Sequence, residues 1–384
     1  MLKNNTKLSV GFLFDDTLDS NDGVAQYVKV LGKWLVDHGH QVTYLVGETK
    51  MRSWAGGQVY SMAKNQRVSF NGNRLSIPLP AKRRRIKQVL AENTFDVLHV
   101  QVPYSPFMSQ KVIKASADNV AIVGTFHVFP AGRLARFGSV FLRVMYAASL
   151  QRVTPMLAVS DAASDFAKQS FGLQTKVLPN VVELDRFKDQ APRNNKSPRI
   201  VFLGRLVERK GCRQLLSAFK LLHEAMPEVR LVIAGDGPLR PKLERFVQKN
   251  KLKDSVEFLG FIDENDKPKI LAGADVACFP SLYGESFGIV LIEAMAAGAG
   301  VVLGGDNPGY RSILGAQPNL LFNPGDADQL ASKLRTMLTN KKLAGKLHDW
   351  QQMEVKKYDV NNVGPRIVAV YIQAIAKIRP KGDN

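Results

Sequence analysis

The chain has 384 residues, 45% of them hydrophobic and 23% charged, the balance of a soluble globular protein long enough for two domains. Two cysteines, Cys212 and Cys278, exclude a disulfide framework and a cysteine metal cluster and fit a reducing cytoplasm. The absence of any apolar run of about 18 residues excludes a spanning segment, and the formal net charge of +19 narrows the partners to nucleic acid, anionic lipid or phosphate-bearing substrates.

Met1 to Phe14 carries Lys3 and Lys7 but only a short apolar run, so it reads as a first strand and not as a secretory leader. That strand, Leu8 to Phe14, ends in Asp15-Asp16. A polar loop from Thr17 to Asp22 leads to Gly23, and Val24, Tyr27, Val28, Leu31 and Leu35 then recur at helical spacing up to Gly39. Val42 to Val46 is the next strand. Strand, glycine loop and helix within about 40 residues open a doubly wound α/β domain, whose ligands sit at the carboxyl ends of strands. Gly23 stands alone, so it fits a ligand-binding glycine loop and a plain strand-to-helix turn equally.

Short apolar runs surround Val68 and Ile77. Lys82, Arg83, Arg84, Arg85 and Lys87 open a predicted helix over 82–93, within the more basic part of the chain. Asp96 to Val100 is a buried strand, and Val120 to His127 is a strand that ends on a histidine. His127 is either structural or, from a strand's carboxyl end, directed at substrate. Residues 133–152 interleave Leu134, Phe137, Phe141, Val144, Met145 and Leu150 with four arginines, a helix for a membrane surface or for packing on the sheet. Met156 to Val159 predicts a strand, with Ser160-Asp161 opening another helix. Pro179 to Arg199 is charged and proline-spotted, as a linker would be.

A second α/β series follows. Arg199 to Leu203, Val229 to Ala234, Val256 to Leu259, Val276 to Phe279 and Gly300 to Leu303 read as strands. Arg205 and Lys210 stand on the glycine-flanked loop after the first of these, a forked donor and a mobile point charge that together suit a diphosphate. Asp326 and Asp328 precede a helix over 328–338 and read as N-capping residues rather than metal ligands.

Ser281 to Gly298 is the most informative stretch. Gly284 permits a tight turn, Ser286 is a candidate N-cap, and Ile289 to Ala297 is apolar almost all round. The N–H groups of Phe287, Gly288 and Ile289 at such a helix mouth would receive an anion. Glu285 at the mouth and Glu293, about two turns or roughly 12 Å deeper, would accept hydroxyls at two depths. A nucleotide-sugar site has that shape. The competing reading makes Glu293 a structural carboxylate paired with a buried arginine.

Gly284-Glu-Ser-Phe-Gly-Ile-Val-Leu-Ile-Glu-Ala-Met-Ala-Ala-Gly298 resembles the Glu-x7-Glu signature of the retaining family 4 glycosyltransferases, in the form found in phosphatidylinositol mannosyltransferases. Phe202 to Gly211 is similar to that family's diphosphate loop, Gly124 to His127 to its acceptor-side histidine strand, Val232 to Pro238 to its second-domain strand turn, and Leu178-Pro-Asn180 to the approach to its linker. The motifs run in family order over about residues 8–325. The resemblance implies a GT-B fold, two Rossmann-like doubly wound domains facing a central cleft. Residues 1–180 form the acceptor-side domain, 181–198 the linker and 199–358 the nucleotide-sugar domain, with terminal helices over 359–384 crossing back to the first.

By the same resemblance Arg205 and Lys210 hold the donor diphosphate, Glu285 the hexose and Glu293 the ribose. The backbone of Phe287, Gly288 and Ile289 touches sugar and phosphate, His127 lies near the reacting face, and Gly23 admits the diphosphate. It implies α-mannose transfer from GDP-mannose with retention, no metal or other cofactor, a lipid or glycolipid acceptor, and docking of Lys82 to Lys87 on the anionic inner face of the cell membrane. Three departures stand out: Asp22 before Gly23 in place of a glycine, Pro179-Asn-Val-Val-Glu183 without the usual glycine, and Tyr283 before Gly284. A UDP-sugar enzyme with a soluble or polysaccharide acceptor is the alternative. A basic lipid- or nucleic-acid-binding protein would leave Glu285 and Glu293 unexplained, and no aromatic stacking platform accompanies the cations, so no nucleic acid partner is expected.

Overall fold

A computed structural model describes residues 6–20, 22–70, 73–78, 81–106, 108–127, 133–188, 190 and 194–378; the side chains over 67–78 and 133–141 fall outside the description, including those of Val68, Ile77, Leu134, Phe137 and Phe141. The chain divides into two compact units, one of residues Met1–Val181 with Val360–Asn384, the other Val182–Asp359.

The first unit opens with β1 (Ser9–Phe14), α1 (Gly23–Asp37), β2 (Gln41–Val46), β3 (Ser53–Trp54), β4 (Gly57–Ser61), the antiparallel pair β5 (Asn65–Phe70) and β6 (Asn73–Pro78), and α2 (Arg83–Glu92). It continues through β7 (Val97–Gln101), α3 (Met108–Ala115), β8 (Ala121–Phe126), α4 (Arg133–Gln151), β9 (Met156–Ala158), α5 (Asp161–Phe166) and β10 (Lys176–Val177). Its sheet has the order β10-β9-β8-β7-β1-β2-β4-β3, parallel except where β3 meets β4. β1 is buried from Val10 to Phe14 because helices cover both faces of a parallel sheet, which is why it reads as an unbroken apolar run. Chain order reverses beside β1, where β2 lies on one side and β7 on the other. Such a reversal opens a crevice at the carboxyl ends of the strands.

The second unit holds β11 (Arg199–Leu203), α6 (Cys212–Ala225), β12 (Arg230–Ala234), α7 (Arg240–Lys249), β13 (Val256–Gly260), α8 (Lys267–Ala272), β14 (Val276–Phe279), α9 (Ile289–Ala296), β15 (Val301–Gly305), α10 (Pro308–Leu314), β16 (Leu321–Phe322), α11 (Ala327–Thr339) and α12 (Lys341–Glu354). Its six-stranded sheet, β13-β12-β11-β14-β15-β16, is parallel throughout. α9 touches α8, α10, α12 and β15, and this enclosure accounts for a helix apolar on nearly every side.

The last helix, α13 (Val360–Ile378), belongs to the first unit. Trp34 Nε1 donates to Asn361 Oδ1 at 2.9 Å, and Val363, Ile367 and Tyr371 join the core formed by Phe12, Leu31 and Tyr44. Each such fully buried side chain contributes roughly 1.5–3 kcal/mol relative to exposure. The linker expected over 181–198 is in part folded structure. Val182 N–H donates to the Tyr358 carbonyl at 2.9 Å, Leu184–Phe187 forms a 3-10 turn with Phe187 buried, and Asn195 Nδ2 reaches Asp275 Oδ2 at 2.9 Å. The apolar side chains of Val182 and Phe187 give this stretch a core to join, despite its polar surroundings.

Candidate active site

The loop after β11 contracts into a 3-10 turn, Glu208–Lys210, and enters α6 through Gly211. That glycine sits at φ +70°, and a Cβ there would lie 1.9 Å from the carbonyl oxygen of Pro280. The close approach seats the turn directly against the segment that follows β14. Main-chain contact continues two residues on, where Leu282 N–H donates to the Arg209 carbonyl at 2.8 Å.

Glu285 is reached from this turn by two cations. Lys210 Nζ lies 2.7 Å and an Arg209 terminal nitrogen 2.9 Å from the same oxygen, Oε1, and the carboxylate side chain is only 11% exposed. Burial pushes the Glu285 carboxyl up, but Lys210 and Arg209 outweigh burial and hold it below its ordinary range. A carboxylate so held is ionised at neutral pH and is no general acid. Arg205 is exposed on the loop nearer β11. Sequence reasoning paired Arg205 with Lys210 and passed over Arg209.

The backbone that presents Glu285 differs from the expected helix mouth. Ser286 is not the N-cap, because α9 starts at Ile289 and the capping position is Gly288 at φ +109°. A Cβ at Gly288 would stand 2.6 Å from the Tyr310 ring, so the chain turns there and the capping position falls two residues later than the expected Ser286. Glu285 and Phe287 therefore lie on a loop, and Glu293 is not two helical turns below Glu285. The Asn307 side chain anchors this loop by donating to the Ser281 carbonyl at 3.1 Å, and the Ser281 and Tyr310 hydroxyls meet at 3.0 Å. Asn307 and Tyr310 gave no signal in sequence, since the residues they hold lie about two dozen or more positions away.

Glu293 is buried in α9, and its partner is Lys267 in place of the arginine weighed above. Lys267 Nζ stands 2.9 Å from Glu293 Oε1 and 2.9 Å from Glu264 Oε1, and Arg186 reaches Glu264 at 3.4 Å. Burial raises the Glu293 carboxyl above its ordinary range despite the pull of Lys267, because one buried ammonium is divided between two carboxylates. Tyr283 is half exposed beside the loop. Asp326 is the N-cap of α11, accepting from Gln329 N–H at 2.9 Å.

On the first unit, the carboxyl ends of β1, β7 and β8 carry Asp15, Gln101 and His127. Asp15 is buried and accepts from Ser109 N–H at 2.8 Å and from the Ser105 and Ser109 hydroxyls at 2.5 Å; burial still pushes its carboxyl up to about 6. His127 is 5% exposed, its Nε2 lies 2.6 Å from Gln101 Oε1, and burial pushes its imidazole down to about 3. It is a neutral hydrogen-bonding group, not a cation. Gly23 opens α1, and Asp22 caps that helix by accepting from Val24 and Ala25 N–H at 2.9 and 3.0 Å. The Val24 and Ala25 N–H groups at this turn are thus occupied by the chain's own carboxylate.

The basic run is helical. Lys82 caps α2 without a side-chain bond; Lys82, Arg83, Arg84 and Lys87 are exposed, while Arg85 lies over the Tyr60 ring, 5.6 Å from its centroid. No described helix is long and apolar enough to cross a membrane.

Two Rossmann-like units in series, with a carboxylate gripped by cations of a glycine-bounded turn in the second, define the GT-B class of glycosyltransferase. Family models bear this out over both units: Glycosyltransferase Family 4 matches residues 21–186 and Glycosyl transferases group 1 matches residues 184–352. The chain belongs to the family 4 glycosyltransferases. It is 33% identical over 374 residues to the phosphatidyl-myo-inositol mannosyltransferase of Mycolicibacterium smegmatis, covering 95% of this chain and 93% of that one. The protein of the same description from Mycobacterium tuberculosis is 32% identical over 379 residues, covering 95% and 96%. Among solved structures, a glycosyltransferase from Rickettsia africae superposes with a TM-score of 0.79 over 98% of this chain and 100% of that one, at 17% identity, a likeness of fold.

Proposed function

We propose that this glycosyltransferase moves a mannose from GDP-mannose, with retention of configuration, onto a phosphatidylinositol-type lipid at an anionic membrane surface. The observation that carries the reading is the end-to-end similarity to relatives named as phosphatidyl-myo-inositol mannosyltransferases. In this reading Lys210 and Arg205 meet the diphosphate, where negative charge grows as the glycosidic bond breaks. Fixed cations aimed at that charge lower the barrier without needing a metal or other cofactor. Glu285 orients the hexose, the backbone of Phe287, Gly288 and Ile289 lines sugar and phosphate, and Glu293 takes the ribose. His127 serves the acceptor-side unit as a neutral imidazole, and Gly23 serves the donor only if Asp22 gives up its cap.

Exposed Lys82, Arg83, Arg84 and Lys87 supply the attraction to the bilayer, each cation near an anionic surface contributing about 1 kcal/mol. The test is incubation of the protein with a panel of GDP- and UDP-sugars and phosphatidylinositol vesicles, with products read by mass spectrometry. GDP-mannose is expected to yield a lipid heavier by one hexose. A lipid product only from a UDP-sugar, or a hexose delivered only to a soluble acceptor, would overturn the donor or the acceptor assignment respectively.

A further inference from the structure

Lys210 and Arg209 both hold Glu285, yet the two are tied down differently. Lys210 has a flexible stem ending in a point charge. Arg209 is fixed twice, by its carbonyl, which accepts from Leu282 N–H at 2.8 Å, and by its guanidinium on Glu285 at 2.9 Å. Its Cδ stands 3.9 Å from where a Gly284 Cβ would be, so the side chain runs beside the very turn that carries Glu285. The Arg209 Nε is buried without a hydrogen-bond partner, an unused donor at the pair.

We infer that Arg209 is a positioning residue for sugar transfer, the arm that keeps the Glu285 carboxylate in place when Lys210 leaves it for the donor diphosphate. The inference rests on the reading of Lys210 and Glu285 given above. Without donor, the two cations share one carboxylate oxygen. With donor, the phosphate competes for Lys210, and a carboxylate buried without a cation would be costly. The Arg209 side chain runs beside the Gly284 turn that carries Glu285, so it stays with that carboxylate as Lys210 moves. It remains on Glu285, and its spare Nε–H allows a second bond to the same carboxylate, the forked arrangement that fixes orientation as well as charge. The other groups facing Glu285 are the Ser281 hydroxyl and the buried Tyr310 phenol, neither of them a cation.

The test compares Arg209→Gln, Arg209→Lys, Lys210→Gln and Glu285→Ala, each checked for folding by its melting temperature, in steady-state hexose transfer and in binding of GDP. Arg209→Gln is expected to lower kcat about tenfold to a hundredfold, the value of a hydrogen bond to a charged group, with GDP affinity within about threefold of wild type. The acid limb of its kcat profile should move to higher pH, because one of two cations holding the carboxyl down is gone. Arg209→Lys should return the limb and part of kcat, whereas Lys210→Gln should weaken GDP binding.

Unchanged kcat and limb in Arg209→Gln, beside an inactive Glu285→Ala, would overturn the inference alone. A loss of GDP affinity matching that of Lys210→Gln would also overturn it, by making Arg209 a phosphate ligand. If Arg209→Gln does not fold, Arg209→Lys decides: a normal limb supports the inference and a displaced one contradicts it. Full activity in both Glu285→Ala and Lys210→Gln would instead remove the reading on which the inference stands.

Discussion

Glu285 and Glu293 are both carboxylates on the same stretch, yet the fold gives them opposite electrostatic settings. Glu285 answers to two cations from one turn and is held below its ordinary range; Glu293 shares one ammonium with Glu264 and is raised by burial. The Lys267–Glu293 pair is nearly dry, with side chains 10% and 6% exposed. Removing one member of such a pair strands the other, at a cost of roughly 3–5 kcal/mol, while replacing both is tolerated. Lys267→Met should therefore destabilise the protein by about that amount in urea unfolding, and Lys267→Met with Glu293→Leu should recover most of it. A single variant within about 1 kcal/mol of wild type would mean that the pair is not buried as described. The types of the candidate-site residues were legible from sequence, since Glu285, Glu293, Arg205 and Lys210 stood out by spacing. Their partners were not: Arg209 lies 76 residues from Glu285 and Lys267 lies 26 from Glu293, and only the folded sheet brings them together.

Elements were legible where one periodicity ruled. β11 and β14 lie where the apolar runs placed them, and α1 follows the spacing of Val24 to Leu35. Boundaries failed where a backbone conformation decided them. Ser286 has the chemistry of an N-cap, but Gly288, in the left-handed region and tight against Tyr310, sets the start of α9. Small strands such as β3 and β16 are two residues each, too short to show a period. Gly288→Ala tests the element directly. The left-handed φ alone costs roughly 1–3 kcal/mol, and the collision with the Tyr310 ring adds to it. The variant should melt lower and lose hexose transfer, because the turn carries Glu285 on its other side. A variant with normal melting and turnover would contradict the role given to that turn. In α2 the conflict is electrostatic. Cations fill the first turn, the positive end of the helix dipole, where each is unfavourable by about 0.3–1 kcal/mol. Neutralising Lys82, Arg83, Arg84 and Lys87 should thus leave the helix as stable or more so while reducing sedimentation with anionic vesicles. Equal vesicle binding by that variant would take the membrane role away from the run.

At the scale of the whole molecule, the alternation of strands and helices was enough to expect two strand–helix units in series, and apart from the β3–β4 pair both main sheets are parallel in the way that alternation requires. The expectation of a linker over 181–198 rested on composition, which reports polarity but not the buried Val181, Val182 and Phe187 or the strand-like contact of Val182 with Asp359. The charge of +19 belongs to this scale too. Attraction between exposed cations and anionic lipid is screened within about 8–10 Å near physiological salt, so vesicle association should weaken steadily as salt is raised. The donor recognition proposed for the less exposed Lys210 should be less sensitive.

The central claim is that the cation-gripped Glu285 loop handles the donor sugar, and turnover of Glu285→Ala tests it most directly. With GDP-mannose and phosphatidylinositol vesicles, wild-type protein should form the hexosylated lipid. Glu285→Ala, folded by its circular dichroism and melting temperature, should form it about a hundredfold or more slowly, the loss expected of a preorganised group at the reacting centre. Hexosylated lipid formed at the wild-type rate by that variant would contradict the account.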